Sequence, residues 1–194
     1  MSTLKVDTIL KRTGTGTITV GQSGDTISIP SGATLNSAGT NTLEGISNTP
    51  LIQAGFTTSS QTISSGSDTE IVYTVITKES PSGKFSTSTG RFTPGVIGFY
   101  YVSATARLNM GNAGGEFGNL QIRLNSQAST SGSTQGSTFR KYQTDGYQSS
   151  LSVDCIVELT SVTDYISAYI YQNQGGSQTL QPNHTNFTAY RLLT

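Results

Sequence analysis

The chain has 194 residues, of which 33% are hydrophobic and only 11% are charged, and its formal net charge is zero. Its eleven Lys and Arg residues are scattered, which argues against a nucleic-acid partner because phosphate backbones bind clustered positive charge. Serine and threonine make up about 30% of the residues, and with 22 Gly they favour an all-β protein rich in turns.

The sequence shows no feature that would direct the chain into a membrane or a secretory pathway. No apolar run approaches the roughly 20 residues that a membrane-spanning helix needs, so we expect no membrane association. The first residues lack the apolar core of a signal peptide, and a single Cys excludes an intrachain disulfide. We therefore expect a protein that is made and used without secretory processing.

Residues 1–48 differ in composition from the rest of the chain. They contain no aromatic residue, and glycines separate short β-type pieces at residues 4–10, 17–20 and 26–29. Pieces this short and this poor in large apolar groups cannot bury a core alone. We expect an extended, β-rich arm that intertwines with the arms of neighbouring copies and anchors the protein. A flexible tail is the alternative.

A linker over residues 39–50 leads into a second domain, residues 51–194, in which hydrophobic residues recur with strand periodicity. Residues 71–76 are all β-formers. The strand that follows Val96 places one alternating set on a core face: Tyr100, Val102, Ala104, Ala106 and Leu108. The opposite face carries Phe99, Tyr101, Ser103, Thr105 and Arg107.

The same alternation continues to the end of the chain. Leu120, Ile122 and Leu124 alternate with polar residues that include Arg123, which indicates a half-buried strand. Residues 126–138 are almost wholly polar and are interpreted as a loop. Further core faces are predicted at 151–159 and 166–170, and a last strand at 187–193. Many short strands separated by turns are typical of a β-sandwich.

One stretch of this domain carries a recognisable motif. It consists of a Phe, a polar run with a Gly, an aromatic residue, a Pro, and then Gly-x-Tyr-x-Val. The matching residues are Phe85, Gly90, Phe92, Pro94, Gly98, Tyr100 and Val102. The string resembles the signature of the globular heads of the complement–tumour necrosis factor superfamily. This resemblance implies a jelly-roll β-sandwich that forms a homotrimer.

The resemblance extends over residues 51–194, although Ala189 stands where the closing strand of the family usually has Gly. A collagen-type Gly-x-y repeat is absent from the sequence. Fold and trimer are therefore implied, but the immune and cytokine functions of animal members are not.

Three tyrosines form a candidate trimer interface: Tyr165, Tyr169 and Tyr171. They lie opposite the predicted core face of Ile166, Ala168 and Ile170, so in a monomer they would form a costly exposed aromatic patch. Two other interpretations stay open. The stripe could be a lateral sheet surface covered by a loop, or a platform on which a carbohydrate stacks.

No catalytic centre is predicted, so we expect a protein that is not an enzyme and holds no cofactor. His184, the single histidine, lies in a polar stretch, and Cys155 lies within a predicted core face as an inert thiol. One His and one Cys cannot supply the four ligands of a zinc site, and no Asp-rich loop indicates calcium. The spacing of the acids selects no glycosidase pair, and Asp154 and Glu158 are expected on a solvated face.

Residues 20–35 resemble N-terminal regions of small structural proteins of tailed phages, notably cyanophages. This resemblance implies a virion protein, made in the host cytoplasm and displayed on the virion surface. We expect a capsid decoration or cement protein bound to the major capsid protein, since an arm of about 45 residues spans at most roughly 150 Å. The alternative is a short tail fibre or adhesin, attached to tail proteins, whose loops at 109–119, 126–138 and 172–186 bind host surface glycan.

Overall fold

The computed structural model of the protein describes residues 19–20, 22–28, 31–33, 48–58, 60–108, 117–125, 134–141 and 149–192. The chain divides into two units, Met1–Leu43 and Glu44–Thr194. In the first unit, Gln22 and Asp25 close a turn: the Asp25 amide donates to the Gln22 carbonyl at 3.0 Å. The described residues 26–28 are exposed and belong to no strand, and Ile29, the last residue of the piece predicted there, lies outside the described residues. The predicted piece at residues 4–10 lies outside the described residues.

Two antiparallel sheets build the second unit, and their strands are numbered here in chain order. The five-stranded sheet, called the front sheet, has the order β10-β7-β13-β1-β4. Its strands are β1 (Leu51–Gly55), β4 (Val75–Ser80), β7 (Gly98–Leu108), β10 (Ser149–Leu159) and β13 (Asn186–Arg191). The last strand therefore lies between the first strand and the central one, β7.

The six-stranded sheet, called the back sheet, has the order β5-β6-β11-β8-β9, and β3 also pairs with β11. Its strands are β3 (Thr69–Glu70), β5 (Phe85–Ser86), β6 (Arg91–Phe92), β8 (Phe117–Leu124), β9 (Thr134–Lys141) and β11 (Ile166–Gln172). A short pair, β2 (Thr62–Ile63) with β12 (Gln178–Thr179), and a 3-10 turn, Pro182–His184, complete the described elements.

The core lies between the two sheets and follows the predicted alternation. Every second residue of β7 from Tyr100 to Leu108 is buried, as are the inward residues of β11. An aromatic cluster closes the core, with Tyr73 packed 5.7 Å from both Phe56 and Phe187 and 6.4 Å from Phe85, measured between ring centroids. Burial raises the pKa of Tyr73 far above its ordinary value, as expected for a phenol enclosed by other rings.

The signature residues hold the segment that enters β7. Gly90 has a positive φ of 76°, and a side chain there would collide with the main-chain carbonyl of Ile71. Phe92 is buried and meets the Tyr100 ring edge-on at 6.2 Å. The Tyr100 hydroxyl donates to the carbonyl of Val96 at 2.8 Å, which ties the strand to the turn that precedes it.

Three sequence expectations are corrected. The loop predicted at 126–138 contains the first part of β9, an edge strand whose polar residues pair with β8. Residues 71–74 are not a strand, although Ile71 and Tyr73 are buried; β4 begins only at Val75. Arg123, expected on a solvated face, is one of the most deeply buried side chains, at 2% exposure.

Candidate subunit interface

The outward face of the front sheet carries a row of apolar and aromatic side chains across four strands. We call it the apolar row, and its members are Ile156, Tyr101, Tyr190 and Leu51. The strand register places them opposite one another in that order. The rings of Tyr101 and Tyr190 are tilted against each other with centroids 5.3 Å apart. Ile156 is 60% exposed, so one end of the row projects into solvent.

Exposed apolar residues continue beyond the apolar row on one side, and a polar row borders it on the other side. Phe99 is 39% exposed and Ile97, just before β7, is 53% exposed. In the other direction the next outward row is polar throughout: Asp154, Ser103, Thr188, Gln53 and Lys78. Large exposed apolar patches with a polar border are typical of protein–protein contacts.

A shallow groove of about 270 Å³ adjoins the row where β13 and β1 meet β4. Leu51 and Tyr190 of the apolar row line it together with Asn48, Gln53, Lys78 and Thr188. The groove is mainly apolar, and Lys78 is the charged residue among those that line it.

The tyrosine stripe lies on the opposite side of the molecule, on the outward face of the back sheet. Tyr165 is half-buried under Arg91, whose guanidinium carbon lies 4.6 Å from the ring centroid. Arg91 in turn donates from Nε and Nη2 to the two carboxylate oxygens of Glu70, each at 2.9 Å. The first ring of the stripe is therefore covered by an ion pair of its own chain.

Tyr169 is also covered by an arginine side chain of its own chain. The guanidinium carbon of Arg123 lies 4.2 Å from its ring centroid, and Arg123 pairs with Asp68 and donates from Nε to Gln121 at 2.8 Å. Tyr171 is half-buried. The sequence does not predict this cation–π contact, because Arg123 and the Asp68 carboxylate that pairs with it are 55 residues apart in the chain. The stripe as a trimer interface stays a prediction, but two of its rings have partners within the chain.

The residues weighed for chemistry lie apart from one another. His184 is exposed at the end of the 3-10 turn, where its main-chain carbonyl accepts from Thr105 Oγ1 at 3.4 Å. Cys155 is half-buried in β10, and burial together with Asp154 raises the pKa of its thiol to about 11. Asp164 is buried as the acceptor of a turn, bonded to the amides of Thr160 and Ser161. Within the described ranges, no three His, Cys, Asp or Glu residues converge on a common point where a metal ion could bind.

In the part of the chain that the structure describes, no helix is long and apolar enough to cross a membrane. The sequence matches no protein-family model and shows no significant similarity to a curated protein.

Comparison with solved structures identifies the fold. Murine APRIL at pH 5.0 superposes with a TM-score of 0.53 at 14% identity, over 73% of this chain and 98% of that chain. Murine APRIL at pH 8.0 gives 0.52 at 13% identity over the same shares. Eiger TNF from S. frugiperda gives 0.48 at 14% identity, over 74% and 92%. Residues of the second unit thus form a jelly roll like that of tumour necrosis factor ligands, as the Phe85–Val102 motif predicts.

Proposed function

We propose that this protein is a homotrimeric virion protein whose jelly-roll domain associates through the outward face of the front sheet. The observation that carries the proposal is the apolar row with its exposed neighbours Phe99 and Ile97. Burying apolar surface contributes roughly 25 cal/mol per Å², so a face of this kind favours contact with another copy. Self-association is also what the signature motif implies.

The front sheet is the better candidate for the contact than the tyrosine stripe. Ile156, Ile97 and Phe99 have large exposed fractions. Tyr165 and Tyr169, in contrast, are covered by arginine side chains, and each arginine forms an ion pair with a carboxylate of the same chain. A partner that stacked on the stripe would have to displace two ion pairs. Among the residues that the structure describes, neither ion pair lies on the outward face of the front sheet.

The place of the trimer in the virion rests on the sequence. Residues 20–35 resemble the N-terminal regions of small tailed-phage structural proteins, and residues 1–48 would be the anchor while residues 51–194 project outward. In this arrangement the protein decorates the capsid and its anchor binds the major capsid protein. The compositional break before Leu51 supports two functional parts.

Immunogold labelling of intact virions tests the location. We expect antibody against this chain to label the capsid lattice. Labelling confined to the tail tip, together with binding on a glycan array, would replace decoration with receptor binding by a short tail fibre. If neither the capsid nor the tail is labelled, the virion assignment is wrong, whatever the oligomeric state proves to be.

A further inference from the structure

We propose that a neutral sugar residue binds at the end of the back sheet, where β11 continues into the loop of residues 173–177. The site consists of the Tyr171 ring, the Asn119 amide and this loop. The ligand class is an uncharged hexopyranose, the building unit of many surface polysaccharides. The inference goes beyond the proposed function and does not depend on the homotrimer.

A fully buried glutamine holds the 173–177 loop in place. Gln172 Nε2 donates to the carbonyl of Gly176 at 2.9 Å, and its Oε1 accepts from the amide of Gln174 at 2.8 Å. The same Nε2 donates to the carbonyl of Ile63 at 3.0 Å, which ties the loop to β2. A loop that is ordered in advance loses less conformational entropy when a ligand binds.

The surface of the loop offers hydrogen-bonding groups without formal charge. Residues 175–177 are exposed, and the amide of Gly175 donates to Ser65 Oγ at 3.0 Å. The segment around Ser65 is equally uncharged, since residues 64–67 are Ser-Ser-Gly-Ser. The next carboxylate along the chain, that of Asp68, is already held in an ion pair. Amides, hydroxyls and carbonyls of this kind suit neutral hydroxyl groups, whereas a sialic or uronic acid would need a cationic partner.

Tyr171 and Asn119 are direct neighbours across β11 and β8, beside this loop on the outward face of the back sheet. Asn119 Oδ1 is buried and accepts no hydrogen bond from any residue that the structure describes. Buried oxygens in proteins nearly always have a donor, so the partner expected here is a ligand hydroxyl. Asn119 as a whole is only half-buried, so a rotation of its amide turns Oδ1 toward such a ligand. The half-buried Tyr171 ring offers an aromatic surface for the C–H groups of a pyranose.

The site lies at the opposite end of the domain from Leu51, where the chain enters the front sheet. Leu180, a few residues after the loop, bridges to Leu108, the last residue of β7. Leu51 lies near the first residues of β7 instead, because its neighbour Tyr190 pairs with Tyr101. A domain anchored through its N-terminal arm would therefore present the loop away from the anchor.

An NMR titration of the full-length protein with sugars tests the site. The neutral probes are lactose, maltotriose and cellotriose, and sialyllactose is the acidic counterpart of lactose. We expect at least one neutral probe to bind with a Kd of about 1 mM and to shift the amide resonances of Tyr171, Gly175 and Gly176. The proposal is overturned if no neutral probe binds, if the shifts lie in another part of the domain, or if sialyllactose binds more tightly than lactose.

Variants of the same face test the assigned residues. Tyr171→Ala should lower the affinity about 10-fold through lost stacking, and Tyr171→Phe, which keeps the ring, should bind as wild type does. Asn119→Ala should lower the affinity about 5-fold. The matched control Tyr165→Ala removes a ring that Arg91 covers in the same stripe, and it should leave the affinity unchanged.

Circular dichroism melts of each variant report whether the fold is intact. A folded Tyr171→Ala variant that binds the sugar like wild type overturns the proposal. A wild-type chain that is monomeric by sedimentation but binds a neutral sugar through Tyr171 removes the proposed homotrimer and leaves this site. A trimer that decorates capsids and binds none of the neutral probes removes only the sugar site.

Discussion

Tyr101 and Tyr190 are direct neighbours on β7 and β13, with ring centroids 5.3 Å apart on the outward face of the front sheet. They lie at the centre of the apolar row, with Ile156 on one side and Leu51 on the other. Aromatic residues at the centre of a patch commonly carry most of the energy of an interface. The pair is therefore the first place at which the proposed contact can be broken.

We expect Tyr101→Glu to dissociate the trimer while leaving the monomer folded. The side chain points outward, so a carboxylate is tolerated in the monomer but would be buried without a partner in the contact. Sedimentation velocity and circular dichroism together measure both effects. The matched variant Tyr169→Ala should keep the trimer and cost about 1 kcal/mol of folding stability through the lost Arg123 contact. If Tyr169→Ala dissociated the trimer and Tyr101→Glu did not, the tyrosine stripe would be the interface instead.

The two ion pairs of the back sheet should contribute differently to the free energy of unfolding. Asp68→Asn leaves the buried Arg123 guanidinium without its carboxylate, and we expect a loss of about 3 kcal/mol in the free energy of unfolding. Glu70→Gln affects Arg91, which is about a third exposed, and should cost about 1 kcal/mol. Urea unfolding of both variants measures the difference. Equal losses would mean that burial of Arg123 does not determine the stability of this layer.

Asp164 makes a specific contribution to stability against acid. Hydrogen bonds from the Asn125 side chain and from the amides of Ser161 and Thr160 lower the pKa of its carboxyl below the ordinary 3.8, against the opposing effect of burial. A carboxyl whose pKa is lower in the folded state stabilises the fold at pH values above its unfolded pKa. This stabilisation is lost as the pH falls through the folded pKa.

The Asp164→Asn variant should therefore be less stable than wild type by about 1–2 kcal/mol at neutral pH. The difference should shrink as the pH falls below 3.8 toward the lowered folded pKa, because the carboxyl of the unfolded chain takes up a proton in this range while the folded carboxyl does not. Unfolding by urea at a series of pH values measures this convergence. A difference that is constant down to the acid limit would show that the charge of Asp164 makes no contribution.

Gly136 and Cys155 pack closely across the two sheets. A Cβ at Gly136 would lie 3.1 Å from both Cβ and Sγ of Cys155, so Gly136→Ala should cost about 1–3 kcal/mol by overpacking. The double variant Gly136→Ala with Cys155→Ala should recover part of that loss, because the sulfur is gone. Thermal melts in a double-mutant cycle measure the coupling. If the losses of the two single variants simply added in the double variant, the alanine at position 136 would be strained by contacts other than Cys155.

Sequence reasoning predicts the parts of the molecule that local patterns determine. The alternation from Tyr100 to Leu108 predicts the inward face of β7, and the glycine of the signature is required where Gly90 passes beneath Ile71. Both depend on neighbours that are close in sequence or on backbone angles that few residues adopt.

The missed features depend on pairing between distant segments. Arg123 pairs with Asp68, which lies just before β3 and 55 residues earlier in the chain, and no local pattern encodes that contact. The edge strand β9 is polar because it pairs along one side only, so its composition resembles that of a loop. The outward residues Tyr101 and Tyr190 could be assigned to faces from alternation, but their adjacency appears only when β13 is placed beside β7.

Sedimentation equilibrium of the full-length protein at micromolar concentration tests the proposed assembly most directly. The account predicts a single species of about 61 kDa, three times the 20.4 kDa of one chain. Tyr101→Glu, measured in the same buffer, should move the mass toward that of one chain. A wild-type mass of 20.4 kDa under these conditions would contradict the proposed trimer and with it the role assigned to the front sheet.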